Sequence, residues 1–167
     1  MKKSLKAFSF LMAAGMLVMS GCGKETTNGS SAEADEEKQY TIGITQFVEH
    51  PSLDAATEGF KKSLEDEGFK EGENVKFDFQ NAQADMNNTQ TIANNFVGDK
   101  VDMIFANATP SAVSALNATK EIPILFTSVT DPVGAGLVES FDKPGENITG
   151  TTDNHWPAAI HLETALC

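Results

Sequence analysis

The stretch VDMIFANATPSAVSALNATKEIPILFT, residues 101–127, decides the fold. It opens on a short β-prone apolar run, Val101–Ala106, and closes on another, Ile122–Thr127. Between them stands Pro110, a residue that opens a helix without losing a needed backbone donor. Ala112, Ala115, Leu116 and Thr119 follow at the spacing of one helix face. Strand, helix and strand in so short a span form a βαβ unit, whose two strands run parallel through a right-handed crossover.

The same alternation continues on both sides. Tyr40–Gln46 reads as a strand, and after Pro51 the residues Leu53, Ala56, Phe60 and Leu64 form a helical stripe that ends at Gly68. Asn74–Gln80 alternates with period two, as a strand with one wetter face does. Asp85 is placed to cap a helix with Thr89, Ile92, Ala93, Phe96 and Val97 inward, closed by Gly98. Asn147–Gly150 supplies a short fifth strand. The expected fold class is α/β: a flavodoxin-like, doubly wound, mostly parallel five-stranded sheet with helices on both faces. Ligands of such sheets bind beyond the carboxyl ends of the strands, near the reversal of strand order.

Composition narrows the function. The chain has 167 residues, 40% hydrophobic, enough for one domain with a real core. Its net charge is −12, and all 12 bases are Lys. Without Arg there is no bidentate fork for phosphate, carboxylate or guanine edges, and no basic stripe offers itself to a polyanion. The reading is no nucleic-acid partner.

The charge is unevenly spread. Residues 1–21 carry Lys2, Lys3 and Lys6 and no acid, followed by the apolar run Phe8–Met19, too short to span a bilayer. This is a signal peptide. It ends Met19-Ser20-Gly21-Cys22, which resembles the bacterial lipobox, with Met where Leu is usual. The resemblance implies a diacylglycerol on the Cys22 thiol and palmitate-type acylation. Residues 22–39 are polar and acidic, a flexible tether. The remaining Cys, Cys167, leaves no natural disulfide.

Three strand ends share a pattern: Gln46-Phe-Val-Glu-His50-Pro51, Asn107-Ala-Thr109-Pro110-Ser111 and Ser128-Val-Thr130-Asp131-Pro132. Each places Pro in the first turn of an expected helix, with Thr109 and Asp131 as N-caps. The N–H groups after Thr109, with its hydroxyl, form a small anion-binding nest, or else only a well-capped helix. Spacing alone leaves both open. His50, His155 and His161 show no metal-ligand spacing. Gly134-Ala-Gly136 lacks the third Gly and the strand before it that a dinucleotide fingerprint needs. No metal and no cofactor is expected.

Three blocks carry a resemblance: Phe105-Ala-Asn-Ala-Thr-Pro-Ser-Ala112, then Ile122-Pro-Ile-Leu-Phe-Thr-Ser-Val-Thr-Asp-Pro-Val-Gly-Ala-Gly-Leu-Val138, then Asn147-Ile-Thr-Gly-Thr-Thr-Asp153. In this order they resemble the ABC-transporter substrate-binding lipoproteins of the tryptophan/tyrosine type, which have the type I periplasmic-binding-protein fold. The likeness covers Tyr40 to Asp153. It implies a non-enzymatic receptor whose two α/β lobes close on an amino acid, often aromatic. It further implies an ABC permease as partner and a lipid-anchored location on the extracytoplasmic side of a bacterial, Gram-positive-type cell membrane. Carried over residue by residue, Ala108, Thr109 and Ser111 hold the ligand carboxylate, with Ser128 and Thr130 beside it. Asp153 meets the α-ammonium, and Phe47 and His50 line the side-chain pocket.

The family continues past Asp153 into a second lobe, whereas residues 154–167 lack its usual amphipathic continuation. They are expected to be an atypical tail from a truncated or frameshifted reading frame, leaving 40–153 as the N-terminal lobe. A flavodoxin-like enzyme or cofactor-binding domain using the same crevice is the alternative.

Overall fold

The computed structural model describes residues 39–153. Along them run β1 (Tyr40–Gln46), α1 (Pro51–Asp66), β2 (Val75–Asn81), α2 (Met86–Gly98), β3 (Met103–Asn107), α3 (Thr109–Ala118), β4 (Ile124–Val129) and β5 (Ile148–Thr152). The strands form one sheet in the order β2-β1-β3-β4-β5, and every ladder is parallel. The expected α/β fold is therefore present. The chain leaves β1 for β2 on one side and returns to β3 on the other, so the reversal of strand order lies between β1 and β3.

Each sheet face has its own core. On one, Phe60 and Leu64 of α1 pack against Ile42, Ile44, Val75 and Phe105, with the Phe60 and Phe105 rings stacked at 4.0 Å. On the other, Ile92 and Phe96 of α2 and Ala112 and Ala115 of α3 cover Ile104, Ala106, Ile124 and Phe126. Burying an aromatic such as Phe96 contributes about 3 kcal/mol. Its ring lies so close to β1 that a Cβ on Gly43 would stand 2.7 Å from it. Glycine at that position is what lets α2 approach the sheet.

Several boundaries differ from expectation. Gly98 is the last helical residue of α2 rather than its stop, and the left-handed residue that turns the chain is Lys100, at φ 54°. β3 begins at Met103, two residues late, and Asp102 just before it meets Thr41 of β1 twice, its carboxylate accepting from the Thr41 N–H and its N–H donating to the Thr41 carbonyl, both at 2.8 Å. β4 runs on to Val129, with a register shift between Phe126 and Val129. No helix follows Asp131: residues 132–136 form a turn, held by Asp131 Oδ1 accepting from the Gly134 N–H at 2.8 Å. Gly134 and Gly136 in so short a segment disfavour anything longer. Among the described residues no helix is long and apolar enough to cross a membrane. The leader, Cys22 and the tail lie outside the described residues.

Candidate functional site

The carboxyl ends of β1, β3, β4 and β5 adjoin one another, so the loops leaving them form one rim. Gln46 and Asn107 are register partners at the ends of β1 and β3, and Asn107 and Thr127 pair across β3 and β4. Phe47 is half-buried against the core. Its N–H donates to the Asn107 carbonyl at 3.3 Å, and its own carbonyl accepts from Ala84 at 2.8 Å. His50 is exposed and is the N-cap of α1, its Nδ1 accepting from the Ser52 N–H at 3.2 Å. With Nδ1 an acceptor, a neutral His50 carries its proton on Nε2 and presents that edge outward.

The next loop departs from expectation. Thr109 is the first residue of α3, not its cap; the N-cap is Ala108, at φ 91° and ψ 154°. That conformation belongs almost wholly to glycine and costs about 1–3 kcal/mol in any other residue. Ala108 is tied in by its N–H to the Thr127 carbonyl at 3.0 Å and by its carbonyl to the Ala112 N–H at 3.1 Å. No side chain caps α3, and its first turn holds no acid. The Thr109 and Ser111 N–H groups therefore begin a helix dipole that no carboxylate of its own first turn offsets, and Pro110 adds no donor.

Ser111 stands behind Thr109 and Pro110. It is 0% exposed, and its Oγ accepts from Thr45 Oγ1 at 3.4 Å. Its side chain lies in the floor beneath the rim, because one helical step from the half-buried Pro110 turns it into the core. Ser128 is half-buried at φ 55°, where β4 bends out of register. Thr130 is exposed, and its carbonyl accepts from Thr152 Oγ1 at 3.2 Å. Asp153 is exposed, its N–H on the Val129 carbonyl at 3.2 Å. The rim thus gathers Phe47, His50, Ala108, Thr109, Ser128, Thr130 and Asp153 on one edge.

Two features of this edge escape sequence reasoning. Of the five non-glycine residues with positive φ among the described residues, Gln83, Ala84, Ala108 and Ser128 stand at or just past a strand's carboxyl end, and only Lys100 does not. Strain held in this way clusters at functional sites. The second feature is polar: Gln46 is 1% exposed and Asn107 fully buried, at the ends of strands whose other buried residues are apolar except Thr45. Amides closing apolar strands are the signal that points to them. A hollow of about 450 Å³, between α1 and residues 69–77, lies away from the rim and mixes four Glu with three Lys. Among the described residues no group of three His, Cys, Asp or Glu is placed to hold a metal ion.

The family described as ABC transporter substrate binding protein matches residues 41–165. A protein of Clostridioides difficile named tyrosine-binding protein is 54% identical over 158 residues, covering 92% of this chain and 46% of that one. The ligand-free, open structure of a substrate binding protein with adhesive properties from Clostridium difficile is 62% identical, with a TM-score of 0.68 over 69% of this chain and 39% of that one. A Streptococcus pneumoniae ABC domain in complex with L-Trp is 39% identical, with a TM-score of 0.67 over 70% of this chain and 39% of that one. The chain spans about half the length of the curated relative.

Proposed function

Because the chain belongs to the ABC transporter substrate binding protein family, we propose that its rim is one wall of an amino-acid receptor serving an ABC importer. The ligand is an aromatic amino acid, with tyrosine first. The tyrosine-binding relative and the L-Trp complex support that choice. The receptor catalyses nothing; it binds and hands over. A lipid on Cys22 holds it at the extracytoplasmic face of the cell membrane, where an ABC permease takes the ligand.

The observation that carries this reading is the open start of α3. In a chain without Arg, a ligand carboxylate is best received by backbone N–H groups, and α3 begins without a side-chain cap or a nearby acid. Thr109 offers its N–H and hydroxyl, and Ser128 and Thr130 stand on the neighbouring strand end. Asp153 lies two strands from Thr109, about 10 Å by strand spacing, a span that two hydrogen bonds and an amino-acid head group bridge. Phe47 and His50, on the β1 side, are left for the aromatic side chain, with ring edges and a polar tip to meet.

Isothermal titration of the chain with L-tyrosine, L-tryptophan, L-leucine and flavin mononucleotide tests the proposal. Heat from the aromatic amino acids, less from leucine and none from the flavin is expected. Flavin retention without amino-acid binding overturns it.

A further inference from the structure

We infer that Gln46, Thr57 and Asn107 form a buried clamp that positions the β1–α1 loop, and with it Phe47 and His50; this deepens the receptor reading and rests on it. The Gln46 Nε2 donates to the Val48 carbonyl at 3.0 Å and to Asp54 Oδ1 at 2.7 Å. One amide thereby holds both the middle of the loop and the first turns of α1. The Gln46 Oε1 accepts from Thr57 Oγ1 at 2.9 Å and from Asn107 Nδ2 at 3.4 Å. Asn107 Nδ2 reaches the Leu53 carbonyl at 2.7 Å and Thr57 Oγ1 at 3.0 Å. The Thr57 hydroxyl, in the buried face of α1, is the centre of the set: it donates to one amide and accepts from the other.

The clamp joins the ends of the two strands at the order reversal to the helix that carries one side of the rim. All three are buried, and Gln46 and Thr57 form part of the floor of a small open hollow beside α1. They act through the loop, so they are positioning residues. The asymmetry of Asn107 supports this. Its Oδ1 is buried with no hydrogen-bond partner, so the amide is oriented by what its Nδ2 holds. A side chain present only to fill space at this position would be better apolar.

Hydrogen exchange on the chain tests the clamp. Thr57→Val keeps the shape and removes the hydroxyl; amides of residues 47–54 are expected to exchange about tenfold faster, while those of α2, α3 and β3 keep their rates. Thr57→Ser restores the hydroxyl and returns the loop to its starting rates. Gln46→Leu gives the same selective loss. Acceleration spread evenly over the sheet, unchanged loop rates, or no rescue by serine overturns the clamp. Titration with L-tyrosine tests the positioning role separately. Affinity that falls severalfold in Thr57→Val and recovers in Thr57→Ser supports it, and affinity that ignores both variants overturns it. If the unsubstituted chain binds no tyrosine, the receptor reading fails, and the exchange rates still decide the clamp.

Discussion

α2 and α3 lie side by side on one face of the sheet, joined by the buried hydroxyls of Thr89 and Ser114 at 2.7 Å, and they start in opposite ways. α2 starts closed. Asp85 is extended, at φ −103° and ψ 122°, and its Oδ1 accepts from the Asn87 N–H at 2.7 Å. α3 starts open, from an alanine in a glycine conformation, with no side chain on its first N–H groups. A closed start contributes stability and leaves nothing to bind. An open start gives up the cap and adds backbone strain, and both costs are explained if a ligand anion completes the helix. The difference between neighbours, under the same sheet and the same solvent, locates the site better than either helix does alone.

Closing α3 from within should separate the two roles. Thr109→Asp places a carboxylate at the first turn, which favours the helix by about 0.3–1 kcal/mol. The same carboxylate occupies and repels the ligand's position. Removal of one charge-assisted hydrogen bond costs about 1.5–3 kcal/mol, so L-tyrosine affinity is expected to fall about 100-fold while urea resistance rises. A variant that loses both together breaks the comparison. Ala108→Gly is the next largest effect. It removes the strain of φ 91° against a glycine entropy cost of about 0.5–1 kcal/mol. The net expectation is a gain of about 1 kcal/mol, read as a higher urea midpoint. No gain means that the open start carries no strain.

How much of this was legible in the sequence depends on the distance over which each feature is decided. The inward face of α2, Thr89, Ile92, Ala93 and Phe96, is set by a local period and is buried as read. β1 keeps both of its expected ends, Tyr40 and Gln46. The strand-end loops after β1, β3 and β4 were legible through Pro at their expected helix starts, and the roles of the rim residues were given only by the resemblance carried by the blocks after β3, β4 and β5. The strained backbone of Ala108 was not legible, since an alanine gives no sign of a positive φ; the Thr127 carbonyl that holds it comes from another strand. The positive φ of Ser128 was hidden for the same reason, since it sits at the register shift against β5. The burial of Ser111 follows from helix pitch, which its loop position alone does not show. The clamp of Gln46, Thr57 and Asn107 joins three elements, and no local pattern announces it.

The two closed starts sharpen the comparison from the other side. Asp85→Ala removes the α2 cap and is expected to cost about 1 kcal/mol of stability, with L-tyrosine affinity unchanged, because α2 offers nothing to the ligand. His50→Ala is the smallest effect on stability. Its cap is a ring nitrogen at 3.2 Å in an exposed position, so about 0.5 kcal/mol is expected from urea unfolding. Yet His50 is also a rim residue, and the two roles use different ring atoms: Nδ1 faces the helix, and Nε2 faces outward. His50→Asn isolates the second role, since an asparagine oxygen can replace Nδ1 at the cap while its amide falls short of the position of Nε2. Stability should return to that of the unsubstituted chain and tyrosine affinity should not. If asparagine restores both, His50 is a cap and nothing more, and the side-chain pocket rests on Phe47 alone.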